Sequence, residues 1–386
     1  MSPTFPGLFR RTFKNENDFE NAYPINYSVN NVGAFLSQYL FPIIVVVIGF
    51  HFSFAIAAFV AFTGFLVLYI LRKDIVAIST DIDKAPIPTN KMIQFLVLSA
   101  AMLGTVFFMF SNMDVGQYII YALALGAIGY FILLMLRAPK AEAMRMSTIL
   151  LMLILVVAFF IYYGQMMTSM NMVAINTLRG DLFGFIPLPP EAAMALNPLW
   201  CMVAGPIITF IFVNLEKKGI TFTTATKVGF AFIMTTLAFG TLTFAAQSVG
   251  SDAVIVPEYF FLAHSFQAFS EVIVGSLAVA FILSVTPKHI ENFSVSLFSV
   301  AIALSGVVGA VFSTSIALDK GQKISQQFVQ NTYGDYFQLL TILAVGIVAV
   351  AFICSILIKK ILAASDRIER GGSDDEQNID LQSQEV

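Results

Sequence analysis

Glu271 is the one acidic residue well inside an apolar run, flanked by Phe266, Phe269, Val272, Ile273 and Val274. A charged residue at the centre of a membrane helix costs roughly 2.5–3.5 kcal/mol on insertion scales. A residue kept at that cost faces a cavity or a partner, and a carboxyl group so placed can take up and release a proton. The alternative is a structural glutamate hydrogen-bonded between helices. His264 lies seven residues earlier, two turns away on the same helix face. A lone histidine near a helix end is more often structural.

A second set of polar residues falls in one stretch: Tyr163, Gln165, Thr168, Ser169, Asn171 and Asn176. At helical spacing, positions 164, 168 and 171 share one face, and 165, 169 and 176 approximately share another. A helix facing only lipid would not tolerate this many amides. They either line a cavity or act as interhelical hydrogen-bond glue. Asn30, Asn31 and Asn197 are further amides in or near apolar runs. Several polar helix faces together with one carboxylate describe a water-filled cavity between helices, the layout of a substrate path.

Other chemistries lack their residues. No P-loop is present, so ATP does not drive the chain directly. No His, Cys and carboxylate set has metal-ligand spacing, and no Gly-x-Ser-x-Gly elbow occurs. No enzymatic constellation and no cofactor motif stand out. Cys201 and Cys354 sit far apart inside apolar runs and read as small packing residues. A net charge of -3 argues against nucleic acid as a partner.

These residues need a scaffold that lipid can solvate. Of the 386 residues, 58% are hydrophobic and only 12% are charged, about half the roughly 25% usual for a soluble domain. A span needs about 20 apolar residues. Ten such runs are readable, at 29–49, 52–72, 91–110, 118–137, 147–175, 193–214, 223–248, 256–285, 292–315 and 335–362. They do not alternate in polarity as barrel strands would, so helices are the expected spanning structure. The fold class is an all-α membrane protein with about ten transmembrane helices.

The loops carry an orientation signal. If alternate loops share a side, only Arg179, Lys320 and Lys323 of the 21 basic residues fall on one side, and the rest join both termini on the other. Lys and Arg mark the cytoplasmic side, which places both ends there. Residues 1–28 read as a cytoplasmic segment, and the charged tail 363–386 as disordered. Within the ninth span, Ala301, Ser305, Gly309 and Ser313 recur every fourth residue, a pattern that lets helix backbones approach closely. Pro198 and Pro206 can kink the sixth span, and Pro198 equally suits an ordinary first helical turn.

An ordered series of short motifs resembles the proton-dependent oligopeptide transporters of the major facilitator superfamily. Tyr27-Ser-Val-Asn-Asn-Val-Gly33 resembles the family's fifth helix, and Tyr163-Gly-Gln-Met-Met-Thr-Ser-Met-Asn171 its seventh. Leu196-Asn-Pro-Leu-Trp200 with Gly205-Pro206 looks like the eighth, and Thr226-Lys227 before Gly229 like the start of the ninth. Gln267-Ala-Phe-Ser-Glu271 and Thr286-Pro-Lys288 are similar to the tenth and its cytoplasmic end. Departures are Gly164, where many members carry an acidic residue, and Leu297, where a tryptophan is usual.

The resemblance implies a partial major facilitator fold. It has two helices of a truncated N-terminal bundle at 29–72, an inserted linker helix pair at 91–137 and a complete six-helix C-terminal bundle at 147–362. The family's first four helices, with their Glu-x-x-Glu-Arg signature, are expected to be missing. The implied activity is symport of di- and tripeptides with protons by alternating access in the bacterial inner membrane, without a cofactor. Glu271 is then the proton-coupling group and neighbours the peptide's amino end. Asn197, Tyr163, Gln165, Ser169, Asn171 and Ser270 line the same cavity, with Asn31 opposite. The alternative expectation is a truncated fragment without transport of its own, or a membrane interaction subunit that needs a separate N-terminal half.

Overall fold

A computed structural model describes residues 12–13, 16–77, 85–318 and 321–384, with the side chains of 16–28, 75, 77 and 371–384 left aside. The chain divides into two units, Met1–Tyr118 and Ile119–Val386, which are taken separately. Nine helices among the described residues are long and apolar enough to cross a membrane.

The first unit contains α1 (Glu16–Ile70) and α2 (Thr89–Ser111), and the second opens within α3 (Met113–Arg137). A straight helix as long as α1 would reach about 80 Å, well beyond the roughly 30 Å of hydrocarbon. The helix breaks instead at Gly49, with φ 79 and ψ 165, a backbone conformation essentially closed to residues with a Cβ. The rings of Phe41 and Phe54 then meet at 5.4 Å, whereas a straight helix would hold them about 20 Å apart. The chain therefore doubles back at Gly49. Nine long helices and ten expected crossings agree, because α1 contains both of the first two. Of the expected N-terminal segment 1–28, residues 16–28 are the opening turns of α1, and residues 1–11 lie outside the described residues.

The second unit contains a six-helix bundle. Helix α4 (Lys140–Gln165) passes through a π-helical turn, Met166–Met170, into α5 (Asn171–Thr177). Then follow α6 (Leu196–Lys217), α7 (Thr224–Gln247), α8 (Pro257–Val285), α9 (Glu291–Thr314) and α10 (Asp335–Gln384). Helix α4 packs on α8, α9 and α10, α7 on α8 and α10, and α6 on α8. The core that α4 organises includes the fully buried Met146, Ile149, Phe159, Phe232, Val274 and Ile282.

Lipid tails are as apolar as these side chains, so close backbone approach and interhelical hydrogen bonds hold the bundle. The small residues of α9 do both. The Ser305 hydroxyl donates to the Val157 carbonyl at 3.0 Å and that of Ser313 to Thr168 Oγ1 at 3.1 Å. A Cβ at Gly309 would lie 3.5 Å from the Ile161 carbonyl. Helix α7 ends under glutamines from the start of the last span. Gln330 donates to the Gln247 carbonyl at 3.1 Å and Gln326 to the Val249 carbonyl at 3.0 Å. Carbonyls at a helix C-terminus have no partner within the helix, and these amides supply one.

Helix α10 runs past the expected boundary at 362, which corrects the expectation of a disordered tail for residues 363–370. Buried Ser365 donates to the Ala141 carbonyl at 2.8 Å. Asp366 and Glu369 pair with Arg145 at 2.9 and 2.6 Å. A polar sequence reads as disordered on composition, but here its partner is a basic residue near the start of α4.

Between α5 and α6 the chain forms a hairpin, β1 (Asp181–Leu182) against β2 (Ile186–Pro187). Phe183 and Gly184 both take positive φ in its turn, as hairpin turns of this kind require. Glu258, in the first turn of α8, accepts from the Phe183 backbone N–H at 2.6 Å. The hairpin is thereby tied to the helix that carries Glu271.

Candidate functional site: a carboxyl among three helices

Glu271 lies midway along α8 and faces α4 and α6. The Tyr163 hydroxyl, from α4, donates to Oε1 at 3.4 Å, and the Cys201 thiol, from α6, donates to Oε2 at 3.4 Å. Both are long contacts, and neither donor is charged. Asn197 of α6 also comes beside the carboxyl, but its Nδ2 falls outside hydrogen-bonding geometry and has no partner in the protein. Glu271 itself is only partly buried, although Asn197 and Cys201 are fully so. Among the described residues no Lys or Arg pairs with it. An acidic group inside a span is costly, and this one has, among the described residues, only neutral neighbours to offset the cost.

The surroundings fix this group. Tyr163 is wedged by Phe160 at 5.7 Å and Phe159 at 6.0 Å, which aims its hydroxyl at α8. Cys201, Ala204 and Ala268 form a small apolar cluster between α6 and α8, edged by Trp200 and Phe269. The short side chains let the two helices approach. Trp200 meets Phe261 in a tilted pair at 4.9 Å, and Phe261 meets Phe183 of the hairpin at 5.5 Å.

Three residues expected in the cavity are elsewhere. Gln165 is fully buried, with Nε2 donating to the Ile161 and Gly309 carbonyls at 3.1 and 3.2 Å. Its Oε1 accepts from Ser169 at 2.8 Å and Tyr336 at 2.6 Å. An amide offers two donors and two acceptor sites, and all four are used. Gln165 is thus a knot between α4, α9 and α10, and Ser169 is one strand of it. Ser270 is also fully buried, and its hydroxyl meets Thr235 Oγ1 of α7 at 2.9 Å. All three side chains are engaged in hydrogen bonds within the bundle.

Asn171 follows the π-helical turn, which inserts extra backbone and rotates the face that simple helical spacing assigned to it. It is half-buried, and its Oδ1 has no partner in the protein. Asn31 lies on α1 in the first unit and is half-buried. His264 and Gln267 lie two turns and one turn before Glu271, both buried, with His264 Nδ1 and Gln267 Oε1 without protein partners. Cys201 was missed as a site residue. Its signal was its place four residues after Asn197, on the same face of α6.

The family model described as the POT family matches residues 11–328. The chain belongs to the POT family. Among curated relatives, the dipeptide and tripeptide permease B of Edwardsiella piscicida is 26% identical over 305 residues, which make up 78% of this chain and 62% of that protein. The dipeptide and tripeptide permease A of Pectobacterium carotovorum subsp. carotovorum (strain PC1) is 23% identical over 87% of this chain and 65% of its own length. This POT-family chain thus spans about three fifths of the curated relatives it matches. Among solved structures, a bacterial homologue of the human drug peptide transporters PepT1 and PepT2 superposes with a TM-score of 0.78 at 21% identity. The match covers 94% of this chain and 75% of the other. The POT-family chain has the fold of these transporters over their shared length, and it is an integral membrane protein.

Proposed function

We propose that this POT-family chain carries the peptide-binding face of a proton-coupled symporter of di- and tripeptides in the bacterial inner membrane, with both termini in the cytoplasm. The observation that carries the reading is the Glu271 carboxyl inside a span, ringed by Tyr163, Asn197 and Cys201 and unmatched by a basic residue among those described. A zwitterionic peptide brings an ammonium group that satisfies the carboxylate, and carbonyl oxygens that suit the unused Asn197 N–H. Protonated, the carboxyl still accepts a hydrogen bond from that ammonium group through its carbonyl oxygen, so proton and peptide can be held together and move in the same direction, as symport requires.

The test is uptake of labelled L-alanyl-L-alanine by the purified chain in liposomes under an inward proton gradient. Uptake that needs the gradient and falls about tenfold or more in Glu271→Gln is the expected result. Unchanged uptake in that variant removes Glu271 from the mechanism. The length spanned relative to the curated permeases motivates a second reading, in which the chain works with a separate N-terminal half. Under that reading, uptake arises only when such a half is co-expressed.

A further inference from the structure

We propose that Cys201 is a positioning residue, whose thiol holds the Glu271 carboxyl in the orientation that presents it, beside the Asn197 amide, to a ligand. The proposal rests on the reading of this site as a peptide site. The Cys201 sulfur lies 3.4 Å from Glu271 Oε2 and 3.7 Å from Asn197 Oδ1. It is 1% exposed, so these two oxygens are acceptors within reach of a thiol that water does not reach. A thiol has a single proton to give, and the shorter contact is the one to Glu271.

Asn197 and Cys201 stand one turn apart on α6, so the helix backbone fixes their spacing, while Glu271 arrives from α8. The sulfur therefore sits between two groups that must act on one ligand. With Oε2 held by the thiol and Oε1 by Tyr163, the carboxyl plane is set. With Oδ1 of Asn197 turned to the sulfur, Nδ2 is the free end of the amide. That nitrogen belongs to a side chain 4% exposed and donates to nothing in the protein. An amide buried to this degree normally uses its N–H. The orientation set by Cys201 thus offers an anion beside an N–H donor, which fits an ammonium group with a carbonyl oxygen next to it.

A residue that only fills space between α6 and α8 would be indifferent to the acceptor at 271, which supplies the test. In Cys354→Ala, Cys201 is the only remaining cysteine, and its S–H stretching band stands alone in the infrared spectrum. Glu271→Leu in that background is expected to shift the band to higher frequency, and Glu271→Ala repeats the measurement should the leucine variant not fold. An unchanged band overturns the proposal. Cys201→Ala is expected to weaken L-alanyl-L-alanine binding about two- to tenfold, and Cys201→Ser to restore it to within about twofold. Equal affinity in the alanine variant, or no rescue by serine, also overturns it. Should the unaltered chain bind no dipeptide, the peptide reading fails instead, and the band shift alone decides the thiol's role.

Discussion

At the scale of single residues, the difference between Gln165 and Asn197 is one of spare hydrogen-bonding capacity. Both are buried amides in apolar helices, and sequence alone gives them the same standing. Gln165 has every donor and acceptor used within the bundle, whereas Asn197 keeps an N–H in hand. Replacing Gln165 with Leu removes the acceptor that the Tyr336 and Ser169 hydroxyls share and the amide donor to the Gly309 carbonyl. The expected outcome is a loss of about 1–3 kcal/mol in stability, seen as a lower melting temperature in detergent, with dipeptide affinity unchanged in the folded fraction. A matching loss of affinity at unchanged stability would return Gln165 to the site. Glu271 was legible because a carboxylate among Phe, Val and Ile has no cheap structural reason to be there. Ser169 and Ser270 were not, because a hydroxyl looks alike whether it meets a ligand or a neighbouring helix. Cys201 escaped notice because a thiol in an apolar run passes for a small hydrophobe.

At the scale of elements, apolar run length and small-residue spacing were readable, and backbone irregularity was not. The stripe from Ala301 to Ser313 foretold a close helix contact, and α9 does lay it against α4. Gly309 marks the tightest point, with the Gln165 amide nitrogen 3.4 Å and the Ile161 carbonyl 3.5 Å from where a Cβ would stand. Gly309→Leu is expected to force α9 away from α4, costing about 1–3 kcal/mol as overpacking does. It should also break the Gln165 knot, so its effect and that of Gln165→Leu should add to less than their sum in a double-mutant cycle. Full additivity would show the two to be independent. The π-helical turns at Met166–Met170 and Val329–Gly334 left no trace in the spacing of apolar residues. The docking of residues 363–370 on Arg145 was equally hidden, because a pair between exposed groups far apart in sequence has no local signature.

At the scale of the whole molecule, hydropathy predicts the number of crossings, and the distribution of Lys and Arg predicts their direction. Both termini on the cytoplasmic side is a prediction that a fusion can check. A fluorescent protein after Val386 is expected to be bright in bacterial cells, and alkaline phosphatase at the same place inactive, with the reverse pattern at the 181–187 hairpin. The opposite pair of results would invert the assigned direction. All of this depends on an even number of passes, and one residue decides it. At Gly49 the backbone takes a conformation that a side chain would forbid, and the helix reverses there without a connecting loop. Were that residue to adopt ordinary helical angles, a single rod would replace the hairpin. Under the proposed direction, every later crossing would then run the opposite way, against the bias of the arginines and lysines. Parity of threading is a global property, and in this chain it is stored in two dihedral angles.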